Sequence, residues 1–278
     1  MNCRNFDSSL KEIFPPMRIE LKWCIILLLI FPSYGGCQEP ISSLTDLREK
    51  YDASYQCVGD LGLATFSARV TSNQLTTVSK IVGIHEPTLS LVFEGADSFS
   101  LEVTFESGTK SDKTRVIKDL TDAIKNAVES FIYSYEAIAF SNPLNRGFAS
   151  ATIVASGSEL IVSFPERNPN QVTTLVFDKD FKMTQMGAKD TVTGLSIVVQ
   201  PTWVSLNGKL VLVSINTEFF QDSRKTFTQR MAIENGLFGR LYLPTNVSIS
   251  AADPTTSNVG ATTIEFSLDS YNLGLSTP

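Results

Sequence analysis

The chain is poor in the residues that most often do chemistry. It has a single histidine, His85, in the stretch GIHEP. A lone histidine can act as a general base, but no G-x-S-x-G elbow or other nucleophile motif accompanies it. His85 therefore reads as a turn or strand-end residue, a hydrolase built on it ranks last, and no catalytic residue is assigned. Cysteine is scarce as well. The four present, Cys3, Cys24, Cys37 and Cys57, form no C-x-x-C pair and no Cys/His ligand set, which argues against a structural zinc site. Asp178 and Asp180 in FDKDF fit a hairpin turn better than a cation site. ASGSEL lacks the lysine and following helix of a phosphate loop, so no metal or cofactor is expected. Basic charge is also in deficit, with 23 Lys and Arg against 29 Asp and Glu. A nucleic-acid partner, which needs a basic face, is excluded on that ground.

Long apolar runs are missing too. The longest, Trp23 to Phe31 in WCIILLLIFPSYGGCQEP, has nine residues, against roughly 20 for a membrane-spanning helix. Arg18 and Lys22 precede it, and Pro32 and the small residues through Gly36 follow, which is the layout of a secretory signal. Residues 1–36 are read as the export region, with Met17 as the start of a compact signal. Gly35-Gly36-Cys37 resembles the end of a bacterial lipoprotein signal, although Tyr34 stands where Leu, Val or Ile is usual. Lipidation of Cys37 would anchor the protein to a membrane. Ordinary cleavage would instead leave Cys37 free to pair with Cys57 in an oxidising compartment. Either way the chain is expected to be exported, to the periplasm or cell envelope.

Residues 37–278 are enough for one domain with a substantial core. They hold 19 basic and 26 acidic residues, with no low-complexity tract beyond the short polar segment Asp253 to Asn258. Two segments carry helical periodicity. From Ile41 to Tyr55 the apolar residues fall at three- and four-residue steps, and Ser43 with Asp46 has the spacing of a capped start. From Lys113 to Ala139 the stripe Val116, Leu120, Ile124, Val128, Phe131, Tyr135 and Ile138 keeps the same period, with charge on the other side.

The remainder alternates as strands do. Phe66, Ala68 and Val70, then Leu89, Leu91 and Phe93, then Leu101, Val103 and Phe105 follow a period of two. Asn207-Gly208 predicts a two-residue hairpin turn between TWVSL and KLVLVSI. Further strands are expected at 148–155, 159–164, 171–177, 181–186, 191–199, 226–233, 238–243, 245–251 and 261–269. The expected fold is α+β. A strongly curved antiparallel sheet, an incomplete β-barrel, carries one N-terminal helix and one long amphipathic helix covering its open face. Trp203 and Tyr271 read as packing residues, and Asn246-Val247-Ser248 is a formal glycosylation sequon.

DLREKYDASYQCVGDLGLATFSARV, TLVFDKDFKMTQM, NGLFGRLYLPTNVSI and IEFSLDSYNL together span most of residues 37–278. In their order of helix, strands and turns they resemble the LolA/LolB-like family of bacterial lipoprotein carriers. The resemblance implies a non-enzymatic protein whose incomplete barrel wraps an apolar cavity under a helical lid. It implies a lipid, acyl chain or lipoprotein as partner. The candidate ligand-contacting residues are Phe66, Val70, Leu91 and Phe93 on strands, and Leu120, Ile124, Val128 and Phe131 on the long helix. The same residues would serve equally as plain core, in which case the protein is a structural or protein-binding lipoprotein with a fully packed barrel.

Overall fold

The computed structural model describes residues 43–94, 99–104, 112–145, 148–166, 168–252 and 262–275. The export region and Cys37, Phe105 and the polar segment after Ala252 lie outside the described residues.

The first helix, α1 (Leu44–Ser54), starts where its cap dictates: the Ser43 hydroxyl accepts from the Asp46 amide at 3.2 Å. Leu47 and Tyr51, one helical turn apart, are buried. Strand β1 (Leu63–Thr71) follows, then α2 (Asn73–Val82), β2 (Thr88–Phe93), β3 (Phe99–Thr104) and α3 (Asp112–Tyr135). Helix α2 corrects the expectation of two helices. Its sequence NQLTTVSKIV is rich in β-branched residues, which mask helical periodicity, yet Gly83 closes it in the left-handed conformation (φ 73°). Helix α3 runs into a π-helical turn, Glu136–Phe140, and two short 3₁₀ turns, Pro143–Asn145 and Phe148–Ser150.

Nine strands complete the chain: β4 (Thr152–Ser156), β5 (Glu159–Pro165), β6 (Gln171–Phe177), β7 (Met183–Asp190), β8 (Leu195–Leu206), β9 (Lys209–Gln221), β10 (Arg224–Phe238), β11 (Leu241–Ala252) and β12 (Thr262–Leu275). All twelve strands join one antiparallel sheet in the order β3-β2-β1-β12-β11-β10-β9-β8-β7-β6-β5-β4. The sheet is not closed: β3 and β4 are its outermost strands. The protein is thus α+β, with an open twelve-stranded antiparallel sheet and three α-helices among the described residues. From β4 to β12 the chain is a plain meander, and the last strand returns to pair with the first. Asn207 (φ 48°) and Gly208 (φ 78°) form the expected hairpin turn between β8 and β9.

Several expected boundaries are displaced, each for a local reason. Residues 191–194 are a turn, and 195–206 is a single strand in which Pro201 pairs with Ile215. The expected break near Pro244 is also absent: Pro244 sits inside β11 opposite Asn235, and the real turn is at Gly239-Arg240. Both prolines lie beside a register shift, between Thr202 and Trp203 and between Glu234 and Asn235. A bulge is where a strand tolerates a residue without an N–H. The start of the expected 148–155 strand is a 3₁₀ turn.

One face of the sheet is apolar and contiguous across strands. Val70 pairs with Leu89 and Leu268, Val247 with Phe266 and Ile233, Met231 with Ile249 and Ile215, and Leu175 with Val162. These side chains share one core with Leu47 and Tyr51 of α1, Leu75 of α2, and Ile117, Ile124, Val128, Phe131 and Ile132 of α3.

Candidate functional site

Seven of the eight candidate ligand-contacting residues are buried, and the eighth, Leu120, is half-buried against the same core. Phe66 stacks on Phe93 with ring centroids 5.1 Å apart, and Phe131 meets Phe266 of β12 edge-on at 5.9 Å. The inward stripe of α3 differs from the expected one at its start. Val116 is 55 % exposed, and Ile117 takes the buried position. The run Ile117, Thr121, Ile124, Val128, Phe131 and Tyr135 keeps helical spacing from there. Thr121, the polar member, is satisfied inside the helix by the Ile117 carbonyl at 2.8 Å.

Beneath α3 lies a void of about 10 Å³ lined by Val58, Leu63, Phe66, Phe131, Ile132, Tyr135, Leu243, Pro244, Leu268 and Tyr271. It accommodates about one water molecule, whereas pockets for organic ligands measure roughly 300–1,000 Å³. Of the eight candidates, Phe66 and Phe131 line it. The other lining residues come from the segment after α1, the start of β1, β11, β12 and the end of α3. Their convergence on one point was not visible in the sequence. Tyr271 donates to the Pro244 carbonyl at 2.6 Å and packs on Phe66 and Phe238.

The two helices on this face are attached differently. Tyr51 and Tyr55 of the α1 end stack at 3.8 Å; Tyr51 meets Phe177 and Tyr55 meets Trp203 edge-on. The Tyr55 hydroxyl donates to the Phe181 carbonyl and accepts from the Met183 amide at 2.5 Å. The Gln56 side chain forms a paired contact with β11, donating to the Tyr242 carbonyl at 2.7 Å and accepting from its amide at 2.9 Å. Lys209 donates to the carbonyls of Asp52 and Ala53. Burial pushes the Tyr51 and Tyr55 hydroxyls well above the ordinary tyrosine range, so both stay neutral. The body of α3, by contrast, is held by apolar packing, with Ser130 bonded to Gln229 of β10.

None of the remaining candidates lines the void beneath α3. His85 is exposed in the connection between α2 and β2. Asp178 Oδ1 accepts from the amides of Asp180 and Lys182, the turn role expected of FDKDF. Cys57 is buried and unpaired, and burial, aided by Asp60 and Asp52, raises its thiol far above the ordinary range. It is no reactive thiolate. Trp203 is buried and donates to the Met183 carbonyl at 3.0 Å. Asn246 is exposed on β11 and bonded to Glu234 and Ser267. Among the described residues no helix is long and apolar enough to cross a membrane, and no His, Cys, Asp or Glu cluster could hold a metal.

Fold and core together define an open antiparallel sheet whose apolar residues share one core with the three α-helices of the described residues. No family model, curated protein or solved structure matches the chain.

Proposed function

We propose that this is an exported, envelope-associated, non-enzymatic carrier in the manner of the LolA/LolB-like family. The sheet is a half-barrel, α3 covers its open side, and the interior takes a lipid, an acyl chain or the acyl part of a lipoprotein. The carrying observation is the make-up of α3. It leads from one outermost strand, β3, to the other, β4, and from Ile117 to Ile132 its buried stripe is apolar apart from the self-satisfied Thr121, with the buried phenol of Tyr135 at its C-terminal end. Contacts of that kind can be exchanged for an acyl chain without stranding a polar group.

The curl of the sheet has its own support. At about 4.8 Å per strand, β2 and β6 in a flat sheet of this order would stand roughly 38 Å apart. Yet Phe93 of β2 packs on Phe140 at 4.7 Å, the neighbouring Ile138 carbonyl receives the Tyr51 hydroxyl at 3.5 Å, and Tyr51 meets Phe177 of β6 at 6.2 Å. A few side chains span the distance. Export rests on the signal-like residues 1–36, and membrane attachment on Cys37.

In this closed form a ligand must displace side chains of α3, because the void beneath it is about 10 Å³. That same observation favours a second reading, a packed structural or protein-binding lipoprotein. Titration with a fluorescent polyene fatty acid separates the two. Saturable binding at micromolar concentration that Phe131→Trp weakens supports the carrier. The absence of binding hands first place to the packed scaffold.

A further inference from the structure

The C-terminal end of α3 and its body are held by different physics, and the difference points to a hinge. At the C-terminal end the helix widens into the π-helical turn Glu136–Phe140, and its last carbonyls turn toward the segment after α1. The Val58 amide donates to the Ala139 carbonyl at 3.3 Å and the Gly59 amide to the Phe140 carbonyl at 2.7 Å, while the Tyr51 hydroxyl reaches Ile138. Beyond the turn, the Asn142 amide donates to Asp60 at 2.9 Å and its side-chain nitrogen to Asp52 at 2.7 Å. Asn142 is fully buried. Gly59 is required for this approach: a Cβ there would stand 2.7 Å from the Phe140 ring and 2.9 Å from its carbonyl oxygen.

Breaking these bonds strands buried polar groups, each at a real desolvation cost. Sliding Ile117, Ile124 or Val128 off apolar neighbours strands none. We propose that the π-helical turn is a fixed pivot, and that α3 opens from its N-terminal end while residues 136–144 stay bonded to residues 51–60. π-Helical turns are frequent at functional sites in helices, and a hinge absorbs its motion over a few terminal residues. This hinge rests on the reading of α3 as the moving cover.

Pulsed thiol labelling of the native protein, resolved by peptide mass, tests it. Cys57, next to Val58, reports the anchored end; Ile117→Cys and Ile124→Cys report the free end. The two introduced thiols are expected to label at least about tenfold faster than Cys57, through an opening that is insensitive to low urea. Gly59→Ala is expected to raise Cys57 labelling towards their rate. Equal labelling at all three positions, or faster labelling at Cys57, overturns the hinge. The comparison in Gly59-containing protein stands even if Gly59→Ala does not fold. Fatty-acid binding with uniform labelling would refute the hinge and leave the carrier; the labelling gradient without fatty-acid binding would support the hinge and refute the carrier.

Discussion

Helices α1 and α3 lie in the same apolar core, yet one is riveted and the other leans. At the end of α1 the ties are bonds of fixed geometry: Tyr55 to the β6–β7 turn, Gln56 to the backbone of β11, Lys209 back to the helix carbonyls. Along the body of α3 the buried side chains are apolar apart from Thr121, and Ser130 is bonded to Gln229 of the sheet. Burial alone does not distinguish the two, since Tyr51 and Phe131 are both almost wholly buried. What distinguishes them is how much each helix would lose on moving. Directional bonds to buried partners have no substitute, whereas apolar contacts can be remade with any apolar partner.

Substitutions can break or sharpen that contrast. The largest effect is expected at Tyr51, whose ring packs between Tyr55 and Phe177. Tyr51→Ala should lower unfolding free energy by about 3 to 5 kcal/mol in urea denaturation. Phe131→Ala removes a similar ring from α3 and should cost less, about 2 kcal/mol, because a helix that leans can settle into the space left behind. It should also weaken fatty-acid retention. If Phe131→Ala is as costly as Tyr51→Ala, the contrast between the helices fails and α3 is core.

Much of this was legible in the sequence, and the exceptions share a cause. The cap at Ser43, the turn at Asn207-Gly208 and the inward alternation of Phe66, Val70, Leu91 and Phe93 are local signals, and the structure carries each of them. Helix α2 was hidden by its β-branched residues. The lengths of β8 and β11 were hidden by Pro201 and Pro244, which read as breaks until their bulges are seen. The anchor of α3 was out of reach, because it joins residues about ninety positions apart, Asp52 and Asp60 to Asn142, through ordinary-looking polar side chains. Phe66 and Phe131 stand out in the sequence as apolar strand and helix residues, but their meeting with Leu243, Pro244, Leu268 and Tyr271 around one void depends on strand order.

Smaller effects refine the picture. Gln56→Ala leaves the amide and carbonyl of Tyr242 without their partner and should cost about 1.5 kcal/mol, although Gln56 contributes little apolar surface. A cost near zero would remove the rivets from the account of α1. The smallest change is expected at His85, where the exposed side chain makes His85→Ala shift stability by within about 0.5 kcal/mol. A well-folded His85→Ala protein that loses its cellular phenotype would revive an enzymatic reading.

Native mass spectrometry of the protein, purified gently from its native cells, tests the central claim most directly. The account predicts a lipid- or fatty-acid-sized mass that travels with the folded protein, is released on denaturation and is depleted in Phe131→Ala. A folded protein that is always free of lipid, and remains so after incubation with phospholipid vesicles, would contradict it.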